Sequence, residues 1–125
     1  MAEGLAKKYL KNSKIYSAGT LPDPINQNAI SAMNSINIDI SNNYSKKIDT
    51  KKLDQYDIII TLCGDAKDNC PIINTNVKHI HWGIEDPAKF SGSDDEVIRK
   101  FSEIRDIILE KIKLLQISLE KMRSK

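Results

Sequence analysis

The order of elements along the chain predicts an α/β fold with a parallel sheet. Helical periodicity and short apolar runs alternate in the order helix, strand, helix, strand, strand, helix. The strongest strand, at 57–62, is a continuous apolar run, which is typical of a strand covered on both faces. A chain of 125 residues is long enough for one hydrophobic core, so we expect one domain over residues 1–125.

Three elements are predicted in the first part of the chain. Apolar side chains recur at helical spacing over residues 2–11, which predicts the first helix. A short strand is expected at 14–18, where a glycine and two prolines then mark a loop. Asn26 is a candidate cap for a second helix, and the stretch that follows this helix is anchored by Ile38 and Ile40.

The second part of the chain contains a short helical turn at 51–55, the strongest strand and a further strand at 77–82. Ser93 and Glu96 form a capping box that begins a long helix, predicted over 94–122. Domains of this class normally begin with a central strand, whereas this sequence opens on a helix. We therefore expect the first central strand to be missing from the sequence.

Charge and hydropathy narrow the class of protein. The 19 basic and 17 acidic residues are interspersed and give a net charge of +2, which does not favour nucleic acid or a membrane as the partner. No apolar stretch approaches the length of a membrane span, and the N-terminus has no signal-peptide core. A cytoplasmic location is expected.

Two cysteines, Cys63 and Cys70, follow the strongest strand and are separated by six residues. The carboxyl ends of parallel strands are where open α/β sheets bind ligands, and two neighbouring thiols suffice for disulfide exchange. From the residues alone three interpretations stay open: inert thiols, a redox pair, or a zinc site completed by His79 and His81. The spacing fits zinc poorly, because zinc knuckles usually place their cysteines about two to four residues apart.

Asp86, which Pro87 follows, is the second candidate site residue. A carboxylate on a loop after a strand can act as a general acid, and proline stiffens the turn that aims it, although most Asp-Pro pairs are simply turns. Ser17 can place a hydroxyl near a ligand or can belong to a strand end that needs small residues. His79 and His81 are expected to be strand side chains, one or both partly exposed.

Several short motifs follow one another along the chain. They are Met1-Ala2-Glu3-Gly4, Tyr16-Ser17-Ala18-Gly19, Ala29-Ile30-x-Ala32-Met33, Ile38-Asp39-Ile40-Ser41-Asn42, Thr61-Leu62-Cys63-x-Asp65-Ala66, Asn69-Cys70-Pro71-Ile72 and His81-Trp82-Gly83-x-x-Asp86-Pro87-Ala88. Together they resemble the thioredoxin-coupled arsenate reductases, which share the fold of the low-molecular-weight protein tyrosine phosphatases. The resemblance covers residues 1 to about 105, and its specific part is the cysteine pair followed by Trp-Gly-x-x-Asp-Pro-Ala, because the phosphatases lack this cysteine pair.

The resemblance implies a three-layer, parallel-sheet domain of the low-molecular-weight phosphatase type, without its first central strand. It also implies a relay of three thiols. In the family, a cysteine in a Cys-x5-Arg loop attacks arsenate, the cysteine matching Cys63 attacks that sulfur, and arsenite leaves. The cysteine matching Cys70 then attacks Cys63, and thioredoxin reduces the resulting disulfide. Asp86 matches the family's general acid.

The sequence departs from the family pattern at three places, one of which is the tail beyond about residue 110, which exceeds that pattern. The Cys-x5-Arg segment, which in the family lies immediately before Met-Ala-Glu-Gly, is not in this sequence. Some members bind a potassium ion through residues matching Glu3 and Ser17 and through an aspartate at the position of Lys46. An ammonium group can occupy the place of the cation here, so no metal is expected.

The resemblance therefore predicts an arsenate reductase that acts as a cytoplasmic monomer, uses thioredoxin as external reductant and binds no cofactor. Its catalytic residues are Cys63, Cys70 and Asp86. Without the Cys-x5-Arg loop, the 125-residue chain is expected to be inactive alone and to fold poorly. Two alternatives stay open: a phosphatase relative whose cysteine pair is incidental, and a non-catalytic domain that binds a partner through the long C-terminal helix or binds zinc.

Overall fold

The computed structural model describes residues 1–18, 25–43, 46–47, 49–63 and 76–123. Within these ranges the elements are three α-helices, two β-strands and two 3-10 turns, and the turns cover Thr50–Gln55 and Pro87–Lys89. The helices are α1 (Ala2–Tyr9), α2 (Gln27–Asn34) and α3 (Asp94–Arg123), and the strands are β1 (Ile58–Cys63) and β2 (Lys78–Ile84).

Strands β1 and β2 pair in parallel, which confirms the predicted parallel α/β fold. Ile58 lies opposite Lys78, and the register runs regularly as far as Thr61 opposite His81. An irregularity after Thr61 shifts the register, so that Cys63 lies opposite Ile84. Because the strands are parallel, their carboxyl ends meet at one edge of the sheet.

Local capping fixes where two of the helices begin. The Asn26 side chain accepts a hydrogen bond from the backbone N–H of Asn28 at 2.8 Å, which confirms the predicted cap of α2. At the start of α3 the Ser93 hydroxyl accepts from the N–H of Glu96 at 3.2 Å, and the Glu96 carboxylate accepts from the hydroxyl of Ser93 at 2.9 Å. The predicted capping box is therefore present.

The hydrophobic core lies where α1, α2 and α3 meet. One face of α3 contributes apolar side chains spaced by threes and fours, and Ile38 and Ile40 are buried as predicted. Trp82 and Ile84 of β2 join the same cluster. Among the residues that the structure describes, the largest fully buried side chains are Leu5, Met33, Ile40 and Ile112.

Arg105 ties α3 to the end of α2. Its guanidinium donates hydrogen bonds to the carbonyl oxygen of Ala32 at 2.8 Å and to the hydroxyl of Ser35 at 2.7 Å. The same side chain pairs with the neighbouring Asp106. The carbonyl oxygen of Ala32 also accepts a hydrogen bond from the Ser35 hydroxyl at 2.7 Å, so the guanidinium adds a charged donor from another helix to an oxygen near the end of α2.

Two predictions about strands are wrong. Residues 14–18 form no strand, and the side chain of Tyr16 is 64% exposed. Strand β1 is not covered on both faces, because its residues 58–60 are only half-buried and Leu62 is exposed. A strand needs a neighbour to satisfy its backbone groups, and in the part of the chain that the structure describes β1 pairs with β2 alone.

Candidate functional site

The carboxyl edge of the sheet brings together two of the three predicted site residues. Cys63 is the last residue of β1, and its backbone lies opposite Ile84, the last residue of β2. Asp86 follows Ile84 by two residues and so emerges at the same edge. The backbone pairing therefore puts the predicted thiol, Cys63, and the predicted acid, Asp86, at the same edge of the sheet.

The Asp86 side chain caps the short 3-10 turn Pro87–Lys89. Its Oδ1 accepts a hydrogen bond from the backbone N–H of Ala88 at 2.9 Å. Pro87 occupies the first position of the turn, where its missing N–H costs nothing, and it is buried. A carboxyl group can hold the turn through one oxygen and carry a proton on the other, so the cap is compatible with an acid role.

Lys100 of α3 contacts residues on both sides of this turn. Its ammonium lies 2.8 Å from the carboxylate of Glu85 and 5.6 Å from the ring centroid of Phe90. The hydrogen bond to Glu85 is the main reason that the pKa of Lys100 is raised above its ordinary value. A single side chain of α3 thus joins the helix to the segment that carries Asp86.

A second polar cluster surrounds Glu3 at the start of α1. Its carboxylate lies 3.3 Å from the ammonium of Lys7 and 3.6 Å from that of Lys46. Burial by itself raises the pKa of Glu3, but hydrogen bonds from Ser17 and Lys7, together with the charges of both lysines, outweigh burial and lower this pKa below its ordinary value. The carboxylate is therefore held in its charged form, and both ammonium groups lie close to its Oε2.

A third cluster, which was not predicted from the sequence, is centred on Thr61 of β1. Its hydroxyl oxygen lies 3.0 Å from Nε2 of His79 and 2.6 Å from Nδ1 of His81. Thr61 is buried, whereas both histidines are exposed, as expected of at least one of them. The pattern that could have revealed the cluster is the alternation of β2 combined with a parallel register against β1.

Cys70 lies outside the described residues, and so does the side chain of Cys63. Among the described residues, no group of three or more His, Cys, Asp or Glu side chains is close enough to hold a metal ion.

An open groove of about 510 Å³ lies between the end of α1 and the last turns of α3. It is lined by residues such as Tyr9 and Leu119, and no predicted site residue lines it. None of the described helices is both long and apolar enough to cross a membrane.

Comparison with known proteins decides the family. The model of the family described as "Low molecular weight phosphotyrosine protein phosphatase" matches residues 1–125. The chain belongs to this family. Its relatives include the arsenate reductase of Oceanobacillus iheyensis, which is 47% identical over 115 residues that make up 91% of this chain and 83% of the relative. The arsenate reductase of Bacillus subtilis is 46% identical over 114 residues, 90% of this chain and 82% of the relative.

Solved structures described as arsenate reductases agree with the sequence comparison. A structure described as "An arsenate reductase in the phosphate binding state" superposes with a TM-score of 0.73 at 26% identity, covering 94% of this chain and 86% of the other. One described as "An arsenate reductase in the intermediate state" gives a TM-score of 0.71 at 30% identity over the same shares of the two chains. The resemblance inferred from the sequence motifs and the predicted fold class are thus confirmed.

Proposed function

We propose that this chain is an arsenate reductase that passes electrons through Cys63 and Cys70 to an arsenate-bound thiol and is re-reduced by thioredoxin. The observation that carries the proposal is the register of the sheet, which brings the end of β1 opposite the end of β2 and so relates Cys63 to Asp86 at one edge. The relatives named as arsenate reductases support it independently.

The chemistry begins on a thiol that the 125-residue sequence does not contain, since neither cysteine is followed by arginine at the sixth position. That thiolate forms a sulfur–arsenic bond, while the carboxylic acid of Asp86 protonates the oxygen that leaves as water. The Cys63 thiolate then attacks the sulfur. A disulfide forms, the electron pair of the sulfur–arsenic bond passes to arsenic, and arsenic leaves reduced from the +5 to the +3 state.

The second half of the relay concerns only this chain and its reductant. The Cys70 thiolate attacks the sulfur of Cys63 and expels the first thiolate, which leaves a Cys63–Cys70 disulfide. Thioredoxin reduces that disulfide by the same exchange and carries the two electrons. The two thiols need a reducing compartment between cycles, so we propose a cytoplasmic monomer with no bound cofactor.

The thioredoxin half can be tested on the 125-residue chain itself. The chain is oxidised and freed of oxidant, and NADPH consumption is followed with thioredoxin and thioredoxin reductase. We expect one NADPH per oxidised chain, and none for Cys63→Ser or Cys70→Ser, which cannot form the disulfide. The absence of thioredoxin-dependent NADPH consumption by the oxidised wild-type chain would contradict the proposal.

The arsenate half needs the missing nucleophile. We expect the 125-residue chain alone not to reduce arsenate. We expect turnover from a joined protein in which a Cys-x5-Arg segment of an arsenate reductase of the family precedes Met1. Thioredoxin-coupled turnover by the 125-residue chain would refute this division, because no thiol would be available to attack arsenate.

The family description favours a second candidate, a phosphatase acting on aryl phosphates. A phosphatase needs the nucleophile loop and the acid but not the cysteine pair. Efficient hydrolysis of p-nitrophenyl phosphate by the joined protein, together with arsenate turnover that survives Cys63→Ser, would favour this candidate over the reductase.

A further inference from the structure

His79 and His81 of β2 lie on the same face of the sheet and both point at one atom. Alternate residues of a strand share a face, and Thr61 stands opposite His81 in the parallel register. Nε2 of His79 and Nδ1 of His81 lie 3.0 Å and 2.6 Å from the Thr61 hydroxyl oxygen. Two ring nitrogens from different imidazoles therefore converge on a single point in space.

Satisfying the buried hydroxyl does not require two imidazoles. A hydroxyl has one hydrogen to donate, and either ring alone can accept it. Both histidines are otherwise exposed, so solvent and dissolved ions reach them. None of the steps of the proposed thiol relay uses an imidazole, so the pair is not explained by that function.

We propose that His79 and His81 form a chelating site for a divalent first-row transition ion, of the class of Zn²⁺, Ni²⁺ or Cu²⁺. Imidazole nitrogen is a preferred ligand of these ions, and two imidazoles on one rigid strand bind an ion without ordering a loop. On binding, the ion replaces the hydrogen bonds between the two ring nitrogens and the Thr61 hydroxyl. The protein supplies two ligands, and water completes the coordination.

The structure leaves room for the ring proton that His81 carries when its Nδ1 binds an ion. Metal binding requires a lone pair on Nε2 of His79 and on Nδ1 of His81, so His81 must carry its proton on Nε2. That nitrogen lies next to Gly83, where a Cβ built on the backbone would come no closer than 3.8 Å. Because the His81 side chain is exposed, this N–H can be hydrated.

The test is titration of the untagged chain with NiCl₂ and ZnCl₂ by calorimetry, in a Cys63→Ser/Cys70→Ser background that removes both thiols. These are the only two histidines and the only two cysteines in the sequence, so the assignment of the ligands is unambiguous. We expect one ion per chain. His79→Asn or His81→Asn should each weaken binding by about tenfold or more, because each leaves a single protein ligand.

A second measurement does not depend on variants that can misfold. In the chain with both histidines, substoichiometric Ni²⁺ should broaden both imidazole proton signals together in the NMR spectrum. The proposal is overturned by failure of the thiol-free chain to bind Ni²⁺ or Zn²⁺ at about 1 mM. It is equally overturned if either folded histidine variant binds the ion with unchanged affinity. Broadening of the proton signals of one imidazole without those of the other would also overturn it.

Discussion

Asp86 caps the turn Pro87–Lys89 and is also the proposed general acid, and substitutions can separate these two roles. Asn and Asp cap helical turns almost equally well, so Asp86→Asn should keep the 2.9 Å hydrogen bond from the N–H of Ala88. Asp86→Ala removes that bond. Since the turn Pro87–Lys89 has only three residues and the side chain is exposed, we expect a loss near the lower end of capping effects, about 0.5 kcal/mol of unfolding free energy. For Asp86→Asn we expect no measurable loss.

Activity should follow a different order. In the joined protein, both variants lose the proton donor, and we expect arsenate turnover to fall by about a hundredfold or more in each. Urea unfolding followed by circular dichroism measures the stability difference, and thioredoxin-coupled NADPH oxidation measures turnover. If Asp86→Asn retained most of the turnover while Asp86→Ala lost it, the side chain would be needed for the turn and not as an acid, and the proposed role would be wrong.

Three further predictions concern stability and can be measured by urea unfolding. Gly4→Ala should destabilise the chain by about 1 kcal/mol, because a Cβ there would lie 2.7 Å from Cγ2 of the buried Ile40. This overpacking outweighs the gain in helix propensity, and unchanged or higher stability would contradict the prediction. Arg105→Met should cost about 2 kcal/mol, since a charged donor to the Ala32 carbonyl is lost, whereas Arg105→Lys should recover part of it. Because the pKa of Glu3 is lowered in the folded state, its contribution is present at neutral pH and is lost as the pH falls below the ordinary pKa of a glutamate. Glu3→Gln should therefore be less stable than wild type at pH 7 and equal to it in acid. A difference that persists in acid would show that packing and not charge is responsible.

The helices could be predicted from the sequence because their determinants are local. The capping box of Ser93 and Glu96 and the cap by Asn26 involve residues two or three positions apart, and the apolar spacing of α3 identifies its buried face. The bond from Arg105 to Ala32 could not be predicted in this way, because it joins residues 73 positions apart.

Strands were predicted less well because a strand exists only with a neighbour. Residues 14–18 have a composition suited to a strand, yet they form none. The contact of Thr61 with His79 and His81 was missed for a related reason, since it depends on the register between β1 and β2. Once the strands are known to be parallel, the register makes that contact simple to understand.

The same dependence on register explains why the predicted site can be tested in two parts. Cys63 ends one strand, Asp86 follows the other, and their relation is set by the backbone pairing of Cys63 with Ile84. Thiol–disulfide exchange with thioredoxin requires only an accessible disulfide, whereas arsenate reduction requires in addition a thiol and an anion-binding loop at this edge. A chain with the cysteine pair but no Cys-x5-Arg should therefore exchange electrons with thioredoxin and fail to reduce arsenate. That combination is expected of neither a phosphatase with incidental cysteines nor a domain that only binds a partner.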